Sequence, residues 1–417
     1  MAGFIKATGN DILYNLINLR QLVFEVTDAC NLRCKYCGHL ELYEKHETRK
    51  GRRLPFHKAK LIIDYLHKLW KQNACDGVNQ RVVVSFYGGE PLLNIKLIRA
   101  IIDYLTSLDN VGKSFVFAMT TNGMLLDRYM DFLFENKFQL LISLDGDKES
   151  HQHRITARGD NSFDRVYGNI KQLQSKYPDY FNQNVGFNSV LHSLSSVEKV
   201  YNFVKSEFNK STKISALNIY NVREDKAKEF NKMYQSVSNS IRQSPACESL
   251  EIELFMNNPQ IAYIANYIHK ESDNVYNNYS DLFFDKKKMS YYPTGTCLPF
   301  FKKVFITADG QILPCEKISH KYIQGQVTNK GVEMDFDNIA HTHNKLISKY
   351  LNQCKYCARI NKCMKCVYQG ESFQSKQNKC DEHMCPNEYK LYVEEKLAYL
   401  TEHPDLYNKI FSEIAMT

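Results

Sequence analysis

Three cysteines near the start of the chain have the number and spacing of an iron-sulfur site. Cys30, Cys34 and Cys37 form the pattern C-x3-C-x2-C within eight residues. Thiolates hold iron-sulfur clusters, and a closed [4Fe-4S] cube takes four of them. Three ligands therefore leave one iron able to bind another molecule, as a catalytic cluster requires. A zinc knuckle with His39 as the fourth ligand is the alternative.

A second group of cysteines lies in the last third of the chain. Of the 13 cysteines, eight fall between residues 297 and 385, and Cys75 and Cys247 stand apart from both groups as ordinary thiols. Clustered cysteines in an intracellular chain usually indicate metal, and eight thiolates would close two four-ligand cubes. Paired C-x2-C units are also zinc-ribbon spacing, which is the alternative. The eight are Cys297, Cys315, Cys354, Cys357, Cys363, Cys366, Cys380 and Cys385.

Strand-like and helix-like stretches alternate between residues 21 and 220, which predicts an α/β fold of parallel strands joined by crossover helices. Six such units would form an open barrel or a sheet. Parallel strands carry their functional groups at their carboxyl ends. The apolar runs predict strands at 22–26, 82–86, 115–120, 140–144, 185–190 and 214–219. Helical spacing of apolar residues predicts helices at 59–70, 95–108, 126–136, 163–177 and 196–208.

Four motifs fall at those carboxyl ends. The cysteine loop follows the first strand, and Gly88-Gly89-Glu90-Pro91 follows the second. Thr121-Asn122-Gly123 follows the third strand, and Asp145-Gly146 the fourth. Glycines let a backbone approach a ligand closely. We therefore expect one site built from four strand ends.

With these motifs in this order, the sequence resembles the radical S-adenosylmethionine superfamily, and most of all its Bacteroidota-type peptide maturases. The resemblance implies a partial (β/α)6 TIM-type barrel over residues 21–220. It also implies a catalytic [4Fe-4S] cluster on Cys30, Cys34 and Cys37, whose open iron binds S-adenosylmethionine for cleavage to a 5'-deoxyadenosyl radical. The implied cofactor contacts are Gly88, Gly89, Glu90, Asn122, Ser143 and Arg154, with Arg154 pairing the methionine carboxylate.

The C-terminal cysteines resemble the SPASM iron-sulfur domain, here expected over residues 296–386. The resemblance implies two auxiliary [4Fe-4S] clusters, and so three clusters in all. It assigns Cys297, Cys315 and Cys366 to an inner cluster and Cys354, Cys357, Cys363 and Cys385 to an outer one, with Cys380 as the fourth inner ligand or a spare. In related sulfatase maturases an Asp after the cysteine corresponding to Cys315 serves as base. Glu316 stands at that position and is the candidate catalytic residue.

The same resemblance implies a ribosomally made precursor peptide with a leader as substrate, modified by a cross-link, a thioether or epimerisation. A reductant such as flavodoxin or ferredoxin would supply electrons. An anaerobic sulfatase maturase that forms formylglycine is the first alternative, and an iron-sulfur electron-transfer protein the second. Only about 20 residues precede the first strand, too few for a leader-binding domain. We expect the leader to be recognised by a separate protein, by a helical connector at 221–295 or by an exposed strand edge.

Composition adds few constraints. The net charge is +8, and the basic run at 49–53 lacks interleaved aromatic residues. We interpret that run as a solvated loop, so nucleic-acid binding is the weaker hypothesis. Mean hydropathy of -0.45 and the lack of an export signal predict a cytoplasmic protein with no membrane partner. The remaining expected segments are an N-terminal segment at 1–20 and a C-terminal helix at 387–417.

Overall fold

The molecule is built around one sheet whose larger part is parallel. The structure is a computed structural model that describes residues 6–44, 49–73, 81–109, 111–254, 259–271, 294–360, 363, 365–368, 380 and 382–413. Six consecutive parallel strands lie in the order β1 to β6. They are β1 (Gln21–Thr27), β2 (Arg81–Gly88), β3 (Ser114–Thr121), β4 (Gln139–Ser143), β5 (Val185–Leu191) and β6 (Thr212–Ala216).

Amphipathic helices connect these strands. In α2, Ala59, Ile62, Ile63, Leu66 and Trp70 are buried, at the three- and four-residue spacing of one helix face. They join buried aromatic residues of the strands in the main core. The predicted α/β fold with a largely parallel sheet is confirmed. The helices are α1 (Gly9–Ile17), α2 (Phe56–Gln72), α3 (Ile95–Ser107), α4 (Leu126–Glu135), α5 (Phe163–Lys176), α6 (Pro178–Asn184) and α7 (Val197–Phe208).

The sixth strand ends earlier than predicted. It stops at Ala216, whereas the apolar run continues to Ile219. Asn218 explains the difference, because its side-chain oxygen accepts a hydrogen bond from the backbone N–H of Tyr220 at 3.1 Å. Such an Asx turn bends the chain away from the sheet. Asn221 then adopts a positive φ of 57°.

Short helices follow the parallel strands. They are α8 (Ala227–Met233), α9 (Val237–Arg242), α10 (Cys247–Leu254) and α11 (Pro259–Asn266), and a π-helical turn spans Tyr267–Glu271. Phe230 and Met233 of α8 pack against Leu42 and Tyr43, just beyond the cysteine loop. Residues 255–258 and 272–293 of the expected connector lie outside the described residues.

The sheet continues into the C-terminal cysteine region. Strands β7 (Val304–Ile306), β8 (Gln311–Leu313), β9 (Gly325–Val327) and β10 (Val332–Glu333) extend it beyond β1. β7 pairs parallel with β1, and the remaining pairs are antiparallel. Helices α12 (Phe336–Ser348), α13 (Leu351–Cys354), α14 (Pro386–Glu402) and α15 (Pro404–Glu413) follow. The region expected to form a domain of its own at 296–386 therefore shares its sheet with the preceding units.

The C-terminal helix expected at 387–417 is divided in two. α14 ends at Glu402 and α15 begins at Pro404. Proline suits the first turn of a helix and disfavours helical geometry in the residue before it, which accounts for the break. Within the described part of the chain, no helix has the length and apolar character needed to cross a membrane.

Candidate active site

A cavity of about 660 Å³ opens at the carboxyl ends of the parallel strands. Its wall is formed by the cysteine loop, by the ends of β2, β3 and β4, and by the segment after β8. The structure thus brings together residues as far apart in the sequence as Glu25 and Tyr368. The expected site residues that line it are Cys30, Cys34, Cys37, Gly88, Gly89, Asn122, Ser143, Arg154 and Glu316.

The cysteine loop is fixed by main-chain hydrogen bonds. The N–H of Arg33 donates to the carbonyl of Ile155 at 2.6 Å, and the N–H of Lys35 donates to the carbonyl of His153 at 3.0 Å. Leu32 and Thr156 form an antiparallel bridge beside them. The loop that carries the three thiols is thus attached to the segment after β4 as a short strand would be.

The thiols face polar donors as well as the cavity. Cys30 Sγ accepts hydrogen bonds from the N–H of Leu32 at 3.4 Å and from Asn122 Nδ2 at 3.8 Å. Arg49 Nη2 lies 3.5 Å from Cys37 Sγ. Burial raises the pKa of Cys30, and it raises the pKa of Cys34 to about 12. A thiolate at these positions therefore needs strong compensation, which a metal centre supplies.

This donor set fits an iron-sulfur cluster better than a single ion. Across the described residues, no group of three or more His, Cys, Asp or Glu side chains is arranged to hold one metal ion. A cluster does not need such convergence, because each thiolate binds a different iron atom. Hydrogen-bond donors near the sulfurs are a usual feature of cluster sites.

Two glycines bring the end of β2 against the cysteine loop. A Cβ on Gly88 would collide with the carbonyl oxygen of Thr27, and one on Gly89 with that of Ala29. The N–H of Gly89 donates to Thr27 at 3.0 Å, and the N–H of Glu90 to Ala29 at 2.9 Å. Gly88 also has a φ of 135°, in the region that favours glycine. Both glycines line the cavity, but their requirement for glycine comes from packing on the loop.

Glu90 lies behind the cavity wall, unlike the position expected for a cofactor contact. Its side chain is fully buried. Its carboxylate accepts hydrogen bonds from Thr121 Oγ1 at 2.8 Å, from the N–H of Asn122 at 2.8 Å and from the N–H of Leu92 at 3.1 Å. Burial raises its pKa to about 7. Glu90 therefore joins the ends of β2 and β3 and positions Asn122.

Arg154 lines the cavity, but part of its guanidinium is already engaged. Its Nε and Nη2 donate to the two carboxylate oxygens of buried Asp145 at 2.9 and 3.0 Å. Tyr36, between two cluster cysteines, donates its hydroxyl to the same carboxylate, and the Arg154 guanidinium lies 5.5 Å from the Tyr36 ring centre. Burial alone would raise the pKa of Asp145, but Arg154 and His151 outweigh burial and lower it. The expected pairing of Arg154 with a cofactor carboxylate would use its remaining N–H donors.

Glu316 reaches the cavity from the C-terminal region. Its side chain is 13% exposed and forms an ion pair with Lys303, with 3.1 Å between Nζ and Oε1. Asn122, Ser143 and the cysteine loop line the same cavity. Glu316 thus shares the cavity with the three thiols of the cysteine loop.

Sequence reasoning missed two arginines that face the site. Arg49 and Arg52 belong to the run at 49–53 that was interpreted as a solvated loop, and both line the cavity. Arg52 Nε donates to Asp28 at 2.7 Å, and its Nη1 pairs with Asp309 in the turn between β7 and β8. Arg52 therefore connects the start of the cysteine loop to the C-terminal region. The sequence did contain a signal for this position, because Asp28 is an acidic residue beside the cysteine motif with which an arginine of this run could pair.

The C-terminal cysteines fall into two neighbourhoods. Burial raises the pKa of the Cys354 thiol to about 12, and the neighbouring thiols of Cys363, Cys380 and Cys357 add to this effect. These four thiols therefore lie near one another. Cys380 also donates its N–H to the side chain of Gln353 at 2.7 Å. The structure therefore places Cys380 near the outer cysteines, whereas the resemblance implied a fourth inner ligand or a spare.

The inner group is indicated by packing. Cys315 and Cys366 both contact the apolar cluster that contains Val367 and Tyr368. Thr296, next to Cys297, accepts a hydrogen bond from the N–H of Val367 at 2.9 Å.

Cys385 caps the N-terminus of α14 through Glu388. Cys247 lies in α10, and Cys75 lies outside the described residues.

Comparison with known proteins agrees with this geometry. Residues 24–204 match the model of the Radical SAM superfamily. The cysteine-type anaerobic sulfatase-maturating enzyme of Clostridium novyi is 27% identical over 193 residues, 46% of this chain and 49% of that protein. The radical SAM cyclopropyl synthase TigE of Paramaledivibacter caminithermalis is 25% identical over 182 residues, 42% of this chain and 35% of that protein. This chain therefore spans half or less of the length of these curated relatives.

Solved structures share the fold along most of the chain. Native anSMEcpe with bound AdoMet superposes with a TM-score of 0.61 at 20% identity, covering 94% of this chain and 100% of that one. The same protein with bound AdoMet and Cp18Cys peptide gives a TM-score of 0.58 at 20% identity, covering 94% and 99%. The cysteine loop and strands β2 to β5 lie within residues 24–204, and the cavity opens at the carboxyl ends of the strands. The match to the Radical SAM superfamily model thus covers the part of the chain that carries the cysteine loop.

Proposed function

We propose that this protein is an enzyme that cleaves S-adenosylmethionine and modifies a residue of a ribosomally made precursor peptide by radical chemistry. The observation that supports the proposal most directly is the 660 Å³ cavity, where three thiols, four strand ends and Glu316 face one another. An electron-transfer protein has no need of such a cavity beside its cluster. The proposal includes the expected cytoplasmic location and a flavodoxin or ferredoxin as reductant.

The residues present fit a cluster and a cofactor. Cys30, Cys34 and Cys37 would hold a [4Fe-4S] cluster with one iron open. The backbone at Gly88 and Gly89, together with Asn122, Ser143 and the free donors of Arg154, would bind S-adenosylmethionine. When bound, the cluster and the cofactor supply a 5'-deoxyadenosyl radical that abstracts hydrogen from the substrate. The protein orients the reactants and keeps water from them.

Glu316 is the proposed base of the reaction. Its carboxylate lies in the cavity and forms an ion pair with Lys303, and a carboxylate can accept a proton from a substrate. One auxiliary cluster would lie near Glu316, because Cys315, one of its proposed ligands, precedes Glu316 directly. We propose Cys297, Cys315 and Cys366 as ligands of one auxiliary cluster, and Cys354, Cys357, Cys363 and Cys380 as ligands of the other. Cys385 stays a candidate for the outer set, because the N–H of Ala358, next to Cys357, donates to the carbonyl of Met384 at 2.9 Å.

A peptide chain as substrate is supported by the relatives and by the site. A sulfatase-maturating enzyme is among the relatives, and anSMEcpe shares the fold in a structure with a bound peptide. Oxidation of a Cys or Ser to formylglycine is therefore the second candidate function, and the position of Glu316 in the cavity favours it. The two candidates differ in product, because formylglycine changes one side chain whereas a cross-link or thioether joins two.

The first experiment measures radical generation. The protein is reconstituted anaerobically with iron and sulfide, then incubated with S-adenosylmethionine and a strong reductant, and 5'-deoxyadenosine is quantified. We expect about twelve irons per chain, as three cubes require, and 5'-deoxyadenosine that disappears in Cys34→Ala. Cys247→Ala, which removes an isolated thiol, is the control and should behave as the native protein does.

The outcome separates the candidates. Iron uptake without 5'-deoxyadenosine would favour electron transfer. If 5'-deoxyadenosine forms, peptides are screened by mass spectrometry for a cross-link or thioether, or for formylglycine. Glu316→Gln should then lower product formation without lowering iron content, and lower iron would argue against its role as base.

A further inference from the structure

A second concavity lies beside the reaction cavity and along the same stretch of chain. Its volume is about 580 Å³, and residues 321–325 form one wall. The preceding residues, 316–320, line the reaction cavity. Tyr368 lines both spaces. The two concavities are therefore neighbours along one continuous surface.

The cleft forms where a pair of strands separates. β9 and β10 pair antiparallel at Val327 with Val332 and at Gln326 with Glu333, and their pairing ends there. Beyond that point the segment before β9 forms one wall of the cleft through residues 321–325, and the segment after β10 turns into α12. Asn338, Ile339 and Thr342 form the helical wall at three- and four-residue spacing. β10 is the last strand of the sheet in the part of the chain that the structure describes. A cleft between a strand end and a helix suits an extended chain.

The chemistry of the walls suits a peptide. Ile323 is 45% exposed, a large fraction for an aliphatic side chain, and the half-buried Val332 and Met334 extend the apolar surface. Gln324 Nε2 donates to Tyr368 Oη at 3.2 Å and so fixes the side of the cleft where Tyr368 also lines the reaction cavity. Apolar contacts beside a strand end are elements of strand recognition.

We propose that this cleft binds the segment of the peptide substrate that flanks the residue to be modified, in an extended conformation. The inference rests on the proposed function, which places the reacting residue near Glu316. Glu316 and Ile323 are seven positions apart, so the chain between them spans at most about 25 Å. A flank of about seven extended residues is long enough to reach from the reaction cavity into the cleft.

The test uses the full-length, iron-reconstituted protein and a displayed library of random peptides of about twelve residues, longer than the bound on the flank. Enriched peptides are synthesised with a fluorophore, and their affinities are measured by anisotropy. We expect Ile323→Asp and Thr342→Trp to weaken binding at least about tenfold, since each removes or fills apolar contact area. Ile323→Val should keep the affinity within about threefold of the native value, since it removes a single methyl group from a partly exposed side chain. Circular dichroism and iron content check that each variant is folded.

The matched control is Leu194→Asp, at an aliphatic residue of similar exposure, 38%, that lies outside both concavities. It should bind the enriched peptides as the native protein does. Failure to enrich any peptide, or equal affinity for the native protein and both cleft variants, would overturn the proposal. Formation of 5'-deoxyadenosine by the native protein without peptide reports on the proposed function separately, so the two failures are distinguishable.

Discussion

Several charged side chains at the site bind other parts of the protein and position the residues that would bind ligands. Asp145 holds the guanidinium of Arg154 and receives the hydroxyl of Tyr36 from within the cysteine motif. Glu90 holds the backbone of Asn122. These buried carboxylates couple the strand ends to the loop. Their removal should therefore affect stability as well as function.

Asp145→Asn should lower the free energy of unfolding by about 3–5 kcal/mol, because it leaves the Arg154 guanidinium buried without its counter-charge. Urea unfolding followed by circular dichroism measures the change. The control is Asp127→Asn, which removes a solvent-exposed pair with Arg165 at 3.1 Å and should cost less than about 1 kcal/mol. Similar losses of unfolding free energy in the two variants would show that the buried Asp145–Arg154 pair contributes no more stability than an exposed pair.

Glu90 should make stability depend on pH. Its pKa is about 7 in the folded protein, compared with an ordinary value of 4.5, so the folded state binds the proton more tightly. This contribution is fully present below pH 4.5 and is lost as the pH rises towards 7. Its full size is on the order of 3 kcal/mol.

The measurement compares the thermal midpoints of the native protein and Glu90→Gln between about pH 5 and pH 8. We expect the advantage of the native protein to shrink as the pH rises, because Gln does not titrate. A difference between the two midpoints that stays constant across this range would contradict the assignment of the raised pKa to Glu90.

At the scale of elements, close contact between the β2 end and the cysteine loop is the constraint that the site depends on most. Gly89→Ala would place a Cβ against the carbonyl oxygen of Ala29, one residue before Cys30. The loop must then move, so we expect lower stability and fewer irons bound per chain after reconstitution.

Gly168→Ala is the control for that change. Gly168 lies in α5 with open space around it, and alanine there should stabilise the helix by about 0.5–1 kcal/mol. Iron content is measured on both variants after the same reconstitution. Normal iron in Gly89→Ala would mean that the loop tolerates a shift of its neighbour.

The parallel strands, their helices and the cysteine loop could be predicted from the sequence because their signals are local. Apolar runs and helical spacing identify β1 to β5 within two residues at either end. The strands β7 to β10 have at most three residues each, too few for periodicity to be seen. The inward direction of Arg52 depends on Asp309, 257 positions later. The grouping of Cys380 with Cys354 depends on tertiary packing in the same way.

At the scale of the whole molecule, the shared sheet makes the C-terminal region a support for the parallel strands that carry the cysteine loop. β1 pairs with β2 on one edge and with β7 on the other. All residues of β1 after Gln21 are buried. Since β1 leads into the cysteine loop, the position of Cys30, Cys34 and Cys37 depends on both parts of the chain.

A chain cut after residue 220 should therefore not give a soluble, folded domain. It would expose the β7-pairing edge of β1 together with apolar side chains such as Val23, which packs on Phe305. Exposed apolar strand edges promote aggregation. Size-exclusion chromatography after expression tests this expectation against the full-length protein. A monomeric, cooperatively unfolding fragment would contradict it.

The main-chain hydrogen bonds that hold the cysteine loop have a consequence for how the protein withstands exposure to oxygen. They join Arg33 and Lys35 to the segment after β4, and none of them uses a sulfur atom. If oxygen destroys the cluster, the loop should keep its shape and present its thiols in the same arrangement. Repair would then need only iron, sulfide and reduction of the cysteines, without refolding of the chain. The cell could return a damaged molecule to use instead of degrading it.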